Sequence, residues 1–207
     1  GMLSIVNFGA GSILIQRIAN AYGKNNTQQA GIYFINGLVV YIFICLLLGA
    51  VGWLASLGLP SLLPALGEET VLITECFKVA VLAMALGIFN ECLRSFSQAM
   101  LQPVIPVISM SIGRIAGIAM TVWMLFNHYG LWAIPLGSLV TESLICALNI
   151  VNAVLIFNKQ KMRIKFSPSI MKDYFQTGPF LLIATVGNRL SQEAEPLLIT
   201  VLINPEM

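Results

Sequence analysis

The sequence predicts an all-α polytopic membrane protein with six transmembrane helices. Of its 207 residues, 57% are hydrophobic and only 10% are charged, whereas ordinary soluble domains contain about 45–50% apolar and about 25% charged residues. The mean hydropathy is correspondingly high, at +0.86. Six apolar runs are each long enough to cross the hydrocarbon of a bilayer, which takes roughly 20 helical residues. These runs are too long and too continuous for the strands of a membrane barrel.

The first three spans are expected at residues 3–22, 31–57 and 71–97. The first span is the weakest, because Asn7, Gln16 and Arg17 interrupt it. The polar stretch GKNNTQQ separates it from the second span, which is apolar throughout. The segment GLPSLLPALGEE then connects the second span to the third.

The remaining spans are expected at residues 104–126, 131–157 and 177–203. The short segments SQAMLQP and NHYG bound the fourth, and NKQKMRIKFSPSIMKDYFQ separates the fifth from the sixth. This last connection is basic, and Ile170, Met171 and Tyr174 in it suit one face of a short helix on the membrane surface. Its basic run either reflects the positive-inside rule or binds anionic lipid.

The cations are distributed unequally between the two sides of the predicted membrane. Of the 11 Lys and Arg residues, three lie inside spans (Lys78, Arg114, Arg189), and none lies on the side that holds Glu68 and Glu69. The other eight share one side: Arg17, Lys24, Arg94, Lys159, Lys161, Arg163, Lys165 and Lys172. The positive-inside rule places this side, including loop 158–176, in the cytoplasm. An aromatic belt is expected at the opposite face, formed by Trp53, Trp123 and Trp132.

Several function classes are disfavoured by composition and spacing. A net charge of +2 is too small to indicate a nucleic-acid partner. The four cysteines lie singly in apolar runs and His128 has no partner at ligand spacing, so we expect buried thiols and no metal site or disulfide. No nucleophile or acid/base set appears, so we expect no catalytic residues, no cofactor and no enzyme. A membrane scaffold, or the membrane part of a glycan-polymerising enzyme, is the non-transport alternative.

Charged side chains inside the spans mark candidate functional positions. A charge at membrane depth costs about 2.5–3.5 kcal/mol on insertion scales unless it faces a cavity or a partner. Glu75 with Lys78 and Glu91 with Arg94 are spaced i,i+3, and we interpret both as local ion pairs near the interfaces.

Arg114 and Glu142 lie deeper than those pairs, on consecutive antiparallel helices. Arg114 shares its helix face with Ser111, Ile118 and Thr121. Glu142 belongs to a polar stripe with Ser138, Asn149 and Asn152, below Pro135. Arg114 and Glu142 either pair as a structural bridge or line a water-filled pathway.

The stretch VGNRLSQEAEP, residues 186–196, places polar residues in the middle of the sixth span. On a helical wheel they occupy an arc of roughly 200° and leave only a narrow apolar wedge. The arc contains Asn188, Arg189, Ser191, Gln192, Glu193, Glu195 and Pro196. We predict that this helix lines a hydrated interior pathway, the alternative being a structural network in which Arg189 pairs with Glu193.

Small residues recur at the spacing used for close helix packing. Gly113 and Gly117 do so in GRIAG, and Gly9, Ala10 and Gly11 do so in FGAGS. Both motifs predict close contacts between helices.

Three segments resemble the multidrug/oligosaccharidyl-lipid/polysaccharide (MOP) exporter superfamily, and most closely its Wzx-type O-antigen and polysaccharide flippases. LSIVNFGAGSILIQRIANAYGKNN (3–26) resembles the second transmembrane helix of that branch, and YGLWAIPLGSLVTE (129–142) the entry to its sixth. QEAEPLLITVLINPEM (192–207) resembles the start of its second lobe, with Glu195 where Asp is more usual and Asn204 where Gly is. The resemblance implies a two-lobed MATE-like fold, of which we expect this chain to be a fragment covering helices two to seven. Residues 1–158 would supply five first-lobe helices, 159–176 a cytoplasmic interlobe loop with a surface helix, and 177–207 the truncated first helix of the second lobe.

The resemblance also implies a function: alternating-access flipping of a lipid-linked oligosaccharide, such as an O-antigen unit for lipopolysaccharide, across a bacterial inner (plasma) membrane. The implied partners are that substrate, membrane lipids and a coupling ion, H+ or Na+. The candidate pathway residues are Arg17, Arg114, Glu142, Asn188, Arg189, Gln192, Glu193 and Glu195. A cation-coupled multidrug antiporter of the same superfamily is the alternative, in which Glu142, Glu193 or Glu195 would bind the cation.

Overall fold

A computed structural model describes residues 10–62, 69–172, 174 and 176. Within these residues the chain is helical and contains no strand. Five long helices follow one another: α1 (Ala10–Gly23), α2 (Thr27–Leu62), α3 (Glu69–Ala99), α4 (Val104–Phe126) and α5 (Ala133–Lys159). A short 3-10 turn, Gly130–Trp132, joins α4 to α5.

Four of the described helical segments are long and apolar enough to cross a membrane. They are Thr27–Pro60, Thr70–Ala99, Val104–Phe126 and Gly130–Lys159. They confirm the predicted spans 31–57, 71–97, 104–126 and 131–157. The described part of the first span is α1, whose 14 residues cover about 21 Å, while the earlier part of that span lies outside the described residues. The sixth span, 177–203, lies wholly outside them.

Four helices end in the same backbone arrangement. The second residue after each helix has a left-handed backbone: Asn25 after α1, Leu101 after α3, His128 after α4 and Lys161 after α5. After α3, for example, Leu101 N–H donates to Gln98 O at 3.0 Å and Gln102 N–H to Ser97 O at 2.9 Å. These two bonds define a Schellman cap, which satisfies carbonyl groups that would otherwise lack donors. These caps end the four helices, and after α1, α3 and α4 the chain continues into the next long helix.

The bundle is organised around α3, which packs against α1, α2 and α5, while α4 packs against α5. The rings of Phe34 on α2 and Phe96 on α3 stack with centroids 3.9 Å apart. Leu14, Ile18 and Cys92 are fully buried beside them. This core lies toward the end of the bundle where α1 ends and α2 begins.

The helices α4 and α5 approach each other closely along a line of glycines. A Cβ atom on Gly117 would lie 2.7 Å from Gly137 O and would overlap the Thr141 side chain. On Gly113 it would lie 2.9 Å from Thr141 O. Only residues without a side chain allow this backbone contact, so the close packing predicted from GRIAG is confirmed.

The FGAGS motif is only partly described, since Gly9 lies outside the described residues. Gly11 lies against α2 and α3, where a Cβ would be 3.1 Å from Ser95 Oγ and 3.3 Å from Tyr41 Oη. Close packing is therefore present at this glycine too.

Large apolar side chains cover the outside of the bundle. Leu46 is 69% exposed, Leu54 66% and Phe126 80%, a pattern that suits contact with lipid rather than water. Of the predicted aromatic belt, Trp53 and Trp123 are exposed and Trp132 is half-buried. Cys76, Cys92 and Cys146 are buried, as the sequence predicts, whereas Cys45 is half-buried.

The segment after α5 folds back onto α2. Asn36, which is fully buried, accepts a hydrogen bond from Ser167 N–H at 3.0 Å and donates to Ile32 O at 2.7 Å. Residues 168–172 are helical. The apolar face predicted from Ile170, Met171 and Tyr174 is present, but these side chains pack against the hydrophobic core of the bundle.

Candidate functional site

A polar cavity of about 150 Å³ lies between α3, α4 and α5. Its residues are Gly87, Asn90, Glu91, Arg94, Met110, Arg114, Thr141, Glu142, Ile145 and Asn149. Each of the three helices contributes at least one charged or polar side chain. The cavity therefore collects side chains that the sequence places on separate spans.

Glu142 is held in this cavity by α3. Asn90 Nδ2 donates to Glu142 Oε2 at 2.8 Å and lies 3.0 Å from Glu142 O. Gly87 lies against the carboxyl group, since a Cβ there would be 3.4 Å from Glu142 Cδ, an ordinary contact distance. The side chain of Glu142 therefore points toward α3.

The rest of the α5 polar stripe also anchors that helix. Asn149 Oδ1 lies 3.0 Å from Ser109 Oγ on α4, and Asn152 Nδ2 donates to Ser97 Oγ on α3 at 2.9 Å. Both asparagines are buried. Ser138 departs from the predicted stripe, since it is exposed and bonds to Ile134 O of its own helix.

Three buried polar atoms at the cavity have no hydrogen-bond partner among the described residues: Asn90 Oδ1, Arg94 Nε and Asn149 Nδ2. A buried polar group without a partner costs about 1–3 kcal/mol. One water molecule needs about 10–15 Å³ of such space, so the cavity has room for several. Water or a polar ligand in the cavity would satisfy these atoms.

The two local ion pairs predicted on α3 are both confirmed. Arg94 Nη2 bonds to Glu91 Oε2 beside the cavity, and Arg94 Nη1 lies 3.6 Å from Met110 Sδ. Lys78 Nζ bonds to Glu75 Oε1 at 2.6 Å, at the other end of α3.

Arg114 and Glu142 line the same cavity without forming an ion pair. Among the described residues no carboxylate lies within ion-pair distance of Arg114. The guanidinium is exposed on α4, on the face that also carries Ser111 and Ile118, both exposed. Of the two arrangements predicted for this pair, the structural bridge is absent, and a shared polar cavity is present.

The other candidate pathway residues lie apart from this cavity or outside the described residues. Arg17 is half-buried on α1 and is not among the residues that line the cavity. The remaining candidates, Asn188, Arg189, Gln192, Glu193 and Glu195, lie outside the described residues. Within the described part of the chain, no group of three or more His, Cys, Asp or Glu residues is arranged to hold a metal ion.

Sequence reasoning missed three polar residues at these helix interfaces: Ser97 on α3, Ser109 on α4 and Thr141 on α5. A signal for two of them was present, because Ser109 precedes Gly113 and Gly117 at intervals of four, and Thr141 follows Gly137 at the same interval. Small and hydroxyl residues at this spacing are typical of helix interfaces in membranes.

Comparison with known proteins identifies the family. The model of the MatE family matches residues 1–123, which is more than half of the chain. No curated protein and no solved structure matches it. The chain therefore belongs to the MatE family of the MOP superfamily, whose members are transporters.

Proposed function

We propose that this MatE-family transporter flips a lipid-linked oligosaccharide, of the O-antigen or polysaccharide-repeat type, across a bacterial inner (plasma) membrane by alternating access. The observation that carries the proposal is the position of Arg114. It is the eleventh of the 23 residues of α4, and therefore about 15 Å along the helix from its start. A cation at this depth calls for an anionic partner.

The carboxylates that share the cavity with Arg114 are engaged elsewhere. Glu91 pairs with Arg94, and Glu142 accepts a hydrogen bond from Asn90. A guanidinium keeps its charge in proteins, so Arg114 cannot be neutralised by losing a proton. Its planar donors match the oxygens of a phosphate, with which arginine forms paired hydrogen bonds. The diphosphate of a polyprenyl-linked oligosaccharide supplies such oxygens.

The test is substitution of Arg114 in the full-length protein, with surface glycan assembly as the readout. Hydrogen bonds to charged groups are worth about 1.5–3 kcal/mol, so we expect Arg114→Ala to reduce flipping by about 10- to 100-fold. Arg114→Lys should retain part of the activity, because it keeps the charge but not the paired geometry. Arg189→Ala tests the same role at the position predicted from the sequence.

Ser111→Ala is the matched control, since Ser111 is exposed one turn earlier and bonds only to Val107 O of its own helix. We expect it to leave glycan assembly unchanged. Normal assembly with Arg114→Ala, at normal protein levels in the membrane, would reject the proposed role.

Glu142 favours the second candidate function, a cation-coupled multidrug antiporter. Its carboxylate lies beside Asn90, whose buried Oδ1 has no partner among the described residues, and oxygen atoms of this kind suit H+ or Na+ coupling. Glu142→Gln should then abolish drug uptake driven by a cation gradient in liposomes. Two results together would favour the antiporter over the flippase: robust drug export by the wild-type protein, and normal glycan assembly in cells that lack the protein.

A further inference from the structure

A long apolar groove runs along the outer surface of the bundle between α2 and α3. Its volume is about 770 Å³, several times that of the polar cavity. It is lined by Ile42, Leu46 and Trp53 on α2 and by Lys78, Leu82 and Ala85 on α3. Ile42 and Trp53 are 11 residues apart, so the groove extends for about 16 Å along the helix axis. These dimensions suit an extended hydrocarbon chain.

The groove is open at the surface of the described bundle. Leu46 is 69% exposed and Leu82 is 53% exposed at its edges. Large apolar side chains exposed on a membrane span suit contact with lipid.

One end of the groove carries the ion pair between Glu75 and Lys78. Lys78 Nζ lies 2.6 Å from Glu75 Oε1 and 4.9 Å from the centre of the Trp53 ring. The pair remains accessible, since the Lys78 side chain is 24% exposed and that of Glu75 48%. An exposed Trp beside a charged pair is typical of the level of the lipid headgroups.

The length of α3 places the pair at that level. The 31 residues of α3 extend about 46 Å, about 16 Å more than the hydrocarbon of a bilayer. With the excess shared equally between both ends, the backbone of Lys78, nine residues from the start of the helix, lies about 5.5 Å inside the hydrocarbon boundary, from which its long side chain reaches the headgroups. Glu75 lies about 4.5 Å further from the membrane centre.

We propose that this groove binds one zwitterionic glycerophospholipid, with an acyl chain between α2 and α3 and an ammonium-bearing headgroup at Glu75 and Lys78. In such a lipid the phosphate lies deeper than the ammonium group. Lys78, the deeper residue, therefore meets the phosphate, and Glu75, the outer residue, meets the ammonium. An anionic headgroup such as phosphatidylglycerol gains the contact with Lys78 but faces the Glu75 carboxylate without a counter-charge. The order of charges along α3 thus selects for a zwitterionic headgroup.

Tryptophan fluorescence tests the proposal, because Trp53 lines the groove. The full-length protein, carrying Trp53 as its sole tryptophan, is reconstituted in phosphatidylglycerol vesicles that contain acyl-brominated phosphatidylethanolamine or acyl-brominated phosphatidylglycerol. Bromine atoms in the groove quench Trp53. Both lipids contact Lys78, so only the ion pair between Glu75 and the ammonium distinguishes them. One exposed ion pair predicts a preference for phosphatidylethanolamine of about 1.4- to 5-fold in relative binding constant.

The charge-swapped variant Glu75→Lys/Lys78→Glu keeps an ion pair but reverses its order, and we expect it to lose the preference. A protein with Trp123 as its sole tryptophan is the matched control. Trp123 is also exposed, at the corresponding end of α4, and its ring lies 6.1 Å from Tyr129, so it should show no headgroup preference. Equal quenching of Trp53 by both lipids, a preference for phosphatidylglycerol, survival of the preference in the swapped variant, or the same preference at Trp123 would each overturn the proposal.

Discussion

The hydrogen bonds from Asn90 to Glu142 predict a measurable energetic coupling between α3 and α5. Asn90 Nδ2 lies 2.8 Å from Glu142 Oε2 and 3.0 Å from Glu142 O. Hydrogen bonds between membrane helices contribute about 0.6 kcal/mol on average and at most about 1.7 kcal/mol. Asn90→Leu removes both bonds, so we expect the free energy of unfolding to fall by roughly 1–3 kcal/mol. Glu142→Leu removes only the bond to the carboxylate.

The double variant isolates the bond between the two side chains. The backbone oxygen of residue 142 is present with either side chain, so its contribution cancels in a double-mutant cycle. The remaining coupling energy should be about 0.6–1.7 kcal/mol. The double variant should therefore lose less unfolding free energy than the two single variants together. Each single variant leaves one buried polar side chain without its partner, whereas the double variant leaves neither.

Reversible unfolding in mixed detergent micelles measures these energies. Asn127→Leu is the matched control, because Asn127 Nδ2 donates to Trp123 O within its own helix and is exposed, and we expect a change within about 0.5 kcal/mol. A coupling energy of zero within error would refute the reasoning. So would a loss from Asn127→Leu as large as that from Asn90→Leu.

Four further substitutions have effects whose direction the structure predicts. Gly117→Ala should destabilise the bundle by about 1–3 kcal/mol, since its Cβ would lie 2.7 Å from a backbone oxygen of α5. Gly49→Ala, with nothing within 4 Å of the new Cβ, should instead stabilise α2 by about 0.5–1 kcal/mol. Leu101→Gly should stabilise the protein by about 0.5–1 kcal/mol, because Leu101 has a φ of 57° that glycine adopts without steric cost. Asn36→Ala should accelerate hydrogen exchange of the Ser167 amide, which donates to Asn36 Oδ1 at 3.0 Å.

Detergent unfolding measures the glycine and leucine variants, and exchange followed by mass spectrometry measures the asparagine variant. Equal effects of alanine at positions 117 and 49 would contradict the close approach of α4 and α5. A loss of stability with Leu101→Gly would contradict strain in the cap after α3. Unchanged exchange at Ser167, relative to Asn127→Ala as control, would show that Asn36 does not hold the segment after α5.

The central spans could be predicted because apolar runs coincide with the parts of helices that meet hydrocarbon. The predicted span 104–126 coincides with α4, Val104–Phe126. The predicted span 31–57, by contrast, falls within the longer helix Thr27–Leu62. Hydropathy marks residues that suit lipid, whereas a helix continues into the interface as long as its backbone bonds are satisfied. The ends of α2 therefore do not follow from composition.

The polar faces could be predicted, but the partners across the helix interfaces could not. Helical periodicity gives the direction of a side chain relative to its own axis. It does not give the rotation or axial position of a neighbouring helix. Asn90 and Glu142 are 52 residues apart, and their contact depends on how α3 and α5 are rotated and aligned. The same missing information left open whether Arg114 pairs with Glu142.

The separation of Arg114 from Glu142 makes their proposed roles independently testable. Glu142 bonds to Asn90 on α3, whereas Arg114 is exposed on α4, so each can contact a different partner although both line the cavity. If Arg114 contacts the diphosphate, Arg114→Ala should weaken the apparent affinity for lipid-linked substrate and leave the dependence on H+ or Na+ unchanged. If Glu142 binds the coupling ion, Glu142→Gln should change the ion dependence at unchanged substrate affinity. If either variant instead changed both the substrate affinity and the ion dependence, the two side chains would act as one unit. That result would contradict the structure, in which Arg114 and Glu142 form no ion pair.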